Sequence, residues 1–228
     1  MLYDIRLALH YDYDGAVHGD RHLVRVMPAS IPGAQRVIAA ALSFEPPPHS
    51  ETTFVDFLGN LVTTIAYARP HGSLDLKLSA RVAVDKAVPA GDASPDIAGL
   101  RHELGTLWRL DGGSPHHFLA ASPRVALTPA IADYARESLG RTGTVQAAAL
   151  DLCHAIHRDF AYVTDATNVD TTPLEAFTQR QGVCQDFVHV MIAGLRGIGI
   201  PAAYVSGYLR TLPPPGGSTP YLWLTGAA

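Results

Sequence analysis

The chain has 228 residues, a net charge of −4 and 47% hydrophobic residues, enough for a buried core in two small domains or one large one. Seventeen Lys and Arg against 21 Asp and Glu leave no basic excess, so nucleic acid is not an expected partner. No apolar run reaches the eighteen or so residues that a membrane span needs, so no membrane partner is expected. Two cysteines, Cys153 and Cys184, make no disulfide framework and suit a reducing compartment. The N-terminus shows no basic segment leading an apolar run, and the expected location is the cytoplasm.

Residues 3–13 alternate, with Tyr3, Ile5, Leu7, Leu9, Tyr11 and Tyr13 on one face, the pattern of a half-buried antiparallel strand. Asp14-Gly15 reads as a turn. Further strands are expected over 22–27, 35–45, 52–57, 61–67 and 74–84, with the Pro46-Pro47-Pro48 run as a break and Leu58 to Leu61 as a turn. Strands at this spacing with no strong helix predict an antiparallel sandwich or barrel-like domain over residues 1–88. Residues 89–127 read as a connecting region rich in Gly and Pro, with a short helix within 100–110 and Trp108 as a packing residue.

From Thr128 the period changes to that of helices. Pro129 follows Thr128 at a favoured first helical position. Thr144 caps a second helix, whose stripe of Val145, Ala148, Ala149, Leu152, Cys153, Ile156 and Phe160 places Cys153 in the core. Thr172-Pro173-Leu174-Glu175 is a capping box. It starts a short helix that leads to Gln181-Gly182. Then Val188, Met191, Ile192 and Leu195 recur at helical spacing, Gly197 and Gly199 punctuate the end, and Pro201 prevents continuation. Residues 202–209 read as a strand. Cys184 therefore falls at or just before the first turn of a buried helix, where free N–H groups and the helix dipole favour a thiolate.

The run GVCQDFVHVMIAGLRGIGIPAAYVSGYL resembles the nucleophile segment of bacterial transglutaminase-like proteins, relatives of the papain-type cysteine proteases. The resemblance is continuous from about Val145 to Leu212, takes in the Thr-rich approach from Asn168 to Arg180, and extends to the β-rich region that precedes this domain in the same family. It implies an α+β fold: an N-terminal antiparallel β domain followed by a transglutaminase-like (papain-like) core over 128–228. It also implies a hydrolase or acyltransferase acting on a protein or peptide substrate, with Cys184 in the nucleophile position. No motif suggests a metal, nucleotide or flavin cofactor, and the oligomeric state is not readable.

A thiol nucleophile of this kind needs a histidine to take its proton and a polar residue to orient that histidine. The resemblance implies a His and then an Asp downstream of the nucleophile. After His189 the chain contains no His, Asp, Glu, Asn or Gln, so the core is expected to be incomplete at its C-terminus, by truncation or a shift of reading frame. His189 lies five residues after Cys184, about 140° around the helix, and reads as a structural helix histidine. His154 and His157 read as exposed face, and His116-His117 receive no role. Asp186 reads as a helix-start residue or a loop anchor, and Gly182 as a backbone necessity. Gln185 and the Cys184 N–H are candidate donors to an oxyanion. Three outcomes stay open: a cysteine amidase or peptidase lacking its base, a non-catalytic binding or scaffold domain, and a chain left unstable by an unpaired edge at 204–209.

Overall fold

The computed structural model describes residues 1–85, 91–139, 143–210 and 222–225. It divides into two compact units, residues 1–88 with 207–224 and residues 89–206 with 225–228.

The N-terminal part of the first unit holds β1 (Leu2–Val17), β2 (Arg21–Val24), β3 (Gln35–Glu45), β4 (Ser50–Val55), β5 (Leu61–Ala66) and β6 (His71–Val84). They form two antiparallel three-stranded sheets in the orders β1-β6-β3 and β2-β5-β4. The middle strand β6 shows why. Leu74, Leu76, Leu78, Ala80 and Val82 are all buried, while Lys77, Ser79 and Arg81 between them face solvent, the two-residue period of a sheet with one dry face. Both neighbours keep that register, with Leu7 and Leu42 opposite Leu78. Ile5 and Phe44 of this sheet share one core with Ile65 and Tyr67, from β5 and just beyond it. Asp14-Gly15 makes no turn. β1 continues through it, absorbs an irregularity between Asp12 and Val17 and pairs Val17 with His71, as a bulge does.

The second unit contains, in chain order, α1 (Ile97–Thr106), α2 (Pro129–Ser138), α3 (Val145–Asp159), β7 (Ala161–Tyr162), α4 (Pro173–Gln179), β8 (Gln181–Gly182) and α5 (Cys184–Gly197). β7 and β8 form a short parallel pair. Asp96 caps α1 by accepting from the Gly99 N–H at 2.7 Å, and Thr144 caps α3 by accepting from the Ala147 N–H. The core gathers Ile131 and Ala135 of α2, Leu152 and Ile156 of α3, and Val190, Ile192, Ala193 and Leu195 of α5. α5 crosses α2 at its glycines. A Cβ on Gly197 would lie 2.7 Å from the Ala132 Cβ, and one on Gly194 would lie 3.1 Å from the Ala135 Cβ. These two glycines are the surface by which the helices approach, whereas Gly199, just past the helix, has φ +87° and needs a left-handed backbone. Buried Arg196 then ties two loops to the end of α5. It donates to the carbonyls of Ala202 at 2.9 Å and Ala120 at 2.8 Å.

Three sequence expectations are corrected here. Cys153 is exposed, because the dry stripe of α3 runs through Ala148, Leu152, Ala155 and Ile156 and Cys153 sits about 100° off Leu152. Trp108 is 90% exposed, since its loop offers it no partner surface. The strand expected over 202–209 begins only at Gly207, as β9 (Gly207–Arg210), and it pairs with β10 (Leu222–Thr225), so the expected open edge has a neighbour. Tyr208 of β9 packs on the first unit's core and donates to the Val26 carbonyl at 2.6 Å. Gly140, Pro213 to Gly217 and Tyr221 lie outside the described residues. No helix among those described is long and apolar enough to cross a membrane.

Candidate active site

The chain is led to Cys184 in steps that its local sequence sets. The capping box of α4 forms as expected: Thr172 Oγ1 accepts from the Glu175 N–H, and Glu175 Oε2 accepts from the Thr172 N–H at 2.7 Å. Arg180 ends α4 in a left-handed conformation at φ 54°. Its guanidinium lies among three aromatic rings, 4.0 Å from the Phe177 centroid, 4.7 Å from Tyr134 and 4.8 Å from Phe160, where ring quadrupoles attract a cation. The Arg180 carbonyl accepts from the Ala161 N–H at 2.9 Å, and the Gly182 carbonyl accepts from the Val163 N–H at 3.0 Å. These bonds hold β7 beside β8, with Tyr162 level with Gly182.

The turn into α5 is built on Asp186, which is 2% exposed. Its Oδ2 accepts from the Val183 N–H at 2.8 Å and from Thr167 Oγ1 at 2.6 Å. One carboxylate therefore pairs an N–H that a helix start leaves without a partner and anchors the loop between β7 and α4. Both roles expected of Asp186 are present. Gly182 is required by the same residue: at φ +157°, a Cβ there would lie 2.5 Å from Asp186 Oδ2.

On this base Cys184 is the first residue of α5, and it is exposed. Its charge reaches two phenols. The charge of a Cys184 thiolate, then burial, then a hydrogen bond to the same sulfur push the Tyr162 phenol above its ordinary value. Burial, and secondly the Cys184 charge, push Tyr204 up. The Tyr204 ring also meets His189, with centroids 5.5 Å apart. His189 is buried, and burial holds its imidazole below the ordinary range, opposed by the Asp186 charge and reinforced by Arg124. The structure thus gathers Cys184, Tyr162, Tyr204 and His189 around the head of α5, with Gln185 half-buried beside them.

The other histidines stand apart from this group. His154 and His157 are exposed on α3. His116 and His117 donate to the carbonyls of Leu107 at 3.0 Å and Leu110 at 3.1 Å. Among the described residues, no group of three or more His, Cys, Asp or Glu is arranged to hold a metal. Sequence reasoning missed Tyr162, Tyr204, Thr167 and Arg180. Only the Phe160-Ala161-Tyr162 alternation hinted at a strand, and three residues are too few to separate from a loop.

An exposed cysteine heads a buried helix in an α+β unit that accompanies an antiparallel β unit, the arrangement expected of a transglutaminase-like protein with a papain-like fold. The family model of the bacterial transglutaminase-like N-terminal region matches residues 3–83, and that of the transglutaminase-like superfamily matches residues 132–223. The chain belongs to this family. An uncharacterized protein of Mycobacterium tuberculosis is 34% identical over 191 residues, covering 80% of this chain and 58% of the relative. One from Mycobacterium leprae is 27% identical over 158 residues, covering 69% and 53%. The chain thus spans a little over half the length of these relatives. The crystal structure of a candidate cysteine protease from Cytophaga hutchinsonii superposes with a TM-score of 0.62 at 23% identity, covering 91% of this chain and 70% of that one. That likeness is one of fold.

Proposed function

We propose that the chain carries the nucleophile half of a transglutaminase-like cysteine amidase or peptidase. The Cys184 thiolate attacks the carbon of a carboxamide or peptide carbonyl. The S–C bond forms, the C–N bond breaks, the nitrogen leaves with a proton as ammonia or an amine, and a thioester remains for water or a second amine. The observation that carries this reading is the exposed Cys184 at the N-terminus of α5, in a chain that belongs to this family. The Cys184 N–H and Gln185 are the proposed oxyanion donors. The substrate class is protein or peptide, and the two exposed, unpaired thiols support a cytoplasmic location.

Proton transfer is the incomplete part. No His, Asp, Glu, Asn or Gln follows His189, and His189 itself is buried against Tyr204. The 228-residue chain is therefore proposed to label at Cys184 with thiol reagents while turning over no carboxamide. The test incubates it with a glutamine-containing peptide and a fluorescent amine, following ammonia release and amine incorporation, beside Cys184→Ala. Activity lost in Cys184→Ala would overturn the inactive reading and direct attention to a base within the chain. The same missing residues favour a second reading, a non-catalytic binding domain. Retained capture of a defined peptide by Cys184→Ala, with no turnover in either protein, would favour it.

A further inference from the structure

Arg180 ends α4 in a conformation where glycine is the commonest residue. Its backbone is left-handed, at φ 54°, a region that a side chain disfavours and glycine enters freely. The arginine side chain must therefore supply something that glycine could not. Its guanidinium lies 4.0 Å from the Phe177 centroid, 4.7 Å from Tyr134 and 4.8 Å from Phe160, so one cation ties together α2, α4 and the residue that ends α3. The Tyr134 phenol donates to Asp159 Oδ2 at 2.9 Å and so holds one wall of this box. The buried Arg180 Nη1 has no hydrogen-bond partner among the described residues, and the rings supply its attraction. Two routes lead from the box to the nucleophile. Through the backbone, the Arg180 carbonyl accepts from the Ala161 N–H at 2.9 Å and the Gly182 carbonyl from the Val163 N–H at 3.0 Å, which sets the strand that enters α5. Through the rings, Phe160 stands edge-on to Phe187 of α5, with centroids 5.8 Å apart and planes at 74°. The Phe187 N–H donates to the Val183 carbonyl at 3.2 Å, closing the turn that contains Cys184.

We infer that Arg180 is a positioning residue for Cys184: the cation held by three rings fixes both the entry of the chain into α5 and the Phe187 ring that closes its first turn. A thiolate gains from the helix N-terminus only while Cys184 keeps its place against the free N–H groups there, and both routes set that place. Loss of the cation loosens the left-handed cap and Phe160 at once, because the Phe160 ring faces both Arg180 and Phe187. The inference rests on Cys184 being the nucleophile, but its test needs no turnover.

The experiment follows alkylation of Cys184 by iodoacetamide across pH, by intact mass, well below the melting temperature. A Cys153→Ser background is used because Cys153 is also exposed. Arg180→Met keeps an unbranched apolar stem and removes the charge. It is expected to label roughly three- to tenfold more slowly at neutral pH, the range of a lost cation–π contact, with its profile moved to higher pH. Arg180→Lys restores a cation and is expected to regain most of that rate. Arg180→Gly relieves the backbone but empties the box, and should label as slowly as Arg180→Met. Parent-like profiles for Arg180→Met and Arg180→Gly overturn the inference, and so does an Arg180→Lys profile no better than that of Arg180→Met. A purely structural role would lower the melting temperature and leave the profile in place. Phe160→Leu guards against poor folding of the Arg180 variants, since it breaks the ring route with Arg180 still present. It is expected to move the profile in the same direction, and Arg180→Met added to it should slow labelling by less than about twofold, as coupled sites do. An unmoved Phe160→Leu profile, or equal slowing by Arg180→Met in both backgrounds, also overturns the inference. Shifted profiles with no carboxamide turnover would sustain the positioning role and count against the enzymatic reading alone.

Discussion

The two ends of α5 are built in opposite ways. At its start, an exposed thiol stands above one buried carboxylate, which holds a backbone N–H and a loop hydroxyl. At its end, Gly197 lets the helix close on Ala132 with no room for a methyl group, and Gly194 lets it pack tightly on Ala135. The wet end depends on a few directional bonds and keeps a reactive group in solvent. The dry end depends on dispersion and burial spread over many atoms. A helix anchored at one end in this way can present a polar group at the other without being unseated by its desolvation cost.

The largest expected effect comes from breaking the dry end. Leu152 is 1% exposed and faces Gly194. Leu152→Ala should cost about 3 kcal/mol in urea unfolding through lost burial and a residual cavity, while the Cys184 alkylation rate, measured well below the melt, stays at the parent value. A changed rate would show that the two ends are not independent. Next comes the wet end. Asp186→Ala leaves the Val183 N–H and the Thr167 hydroxyl without their acceptor and should cost about 2 kcal/mol, with altered Cys184 labelling. Equal labelling would mean that Asp186 supports the loop without orienting the thiol.

Gly197→Ala is expected to cost about 1.5 kcal/mol by overpacking against Ala132. A neutral or stabilising result, as a higher alanine helix propensity alone would give, would show that α2 can retreat. The smallest effect is one of pH. Burial lowers His189 from its ordinary value of 6.5 in the folded chain, so the unfolded chain binds the extra proton first. The stability from keeping His189 neutral is present above about pH 6.5 and is lost as pH falls toward the folded value. His189→Gln should flatten the melting temperature against pH on that side, and an unchanged slope would assign the acid sensitivity to other groups.

Much of this architecture is visible in local spacing. The period of two in Leu74, Leu76 and Leu78 marks β6, and β3 runs from Gln35 to Glu45 as its pattern predicts. The Thr172–Glu175 capping box and the place of Cys184 in the first turn of α5 are equally local. Cys153 and Trp108 misled because average burial tendencies say what a side chain prefers, not whether its position offers a partner surface. Gly197 reads as helix punctuation in one dimension, and its close approach to α2, with that of Gly194, exists only in three.

The sequence by itself determined the alternation of the β unit, the caps and stripes of the helices, and the chemistry available at Cys184, because each depends on residues within a turn or a pleat of one another. Only the tertiary structure decided that Thr167, 19 residues from Asp186, anchors on it, that Tyr162 pairs with Gly182 beside the head of α5, and that Arg180 lies among three rings. Those contacts form when loops close and distant segments pack, and local periodicity carries no record of which distant side chains will then share a space.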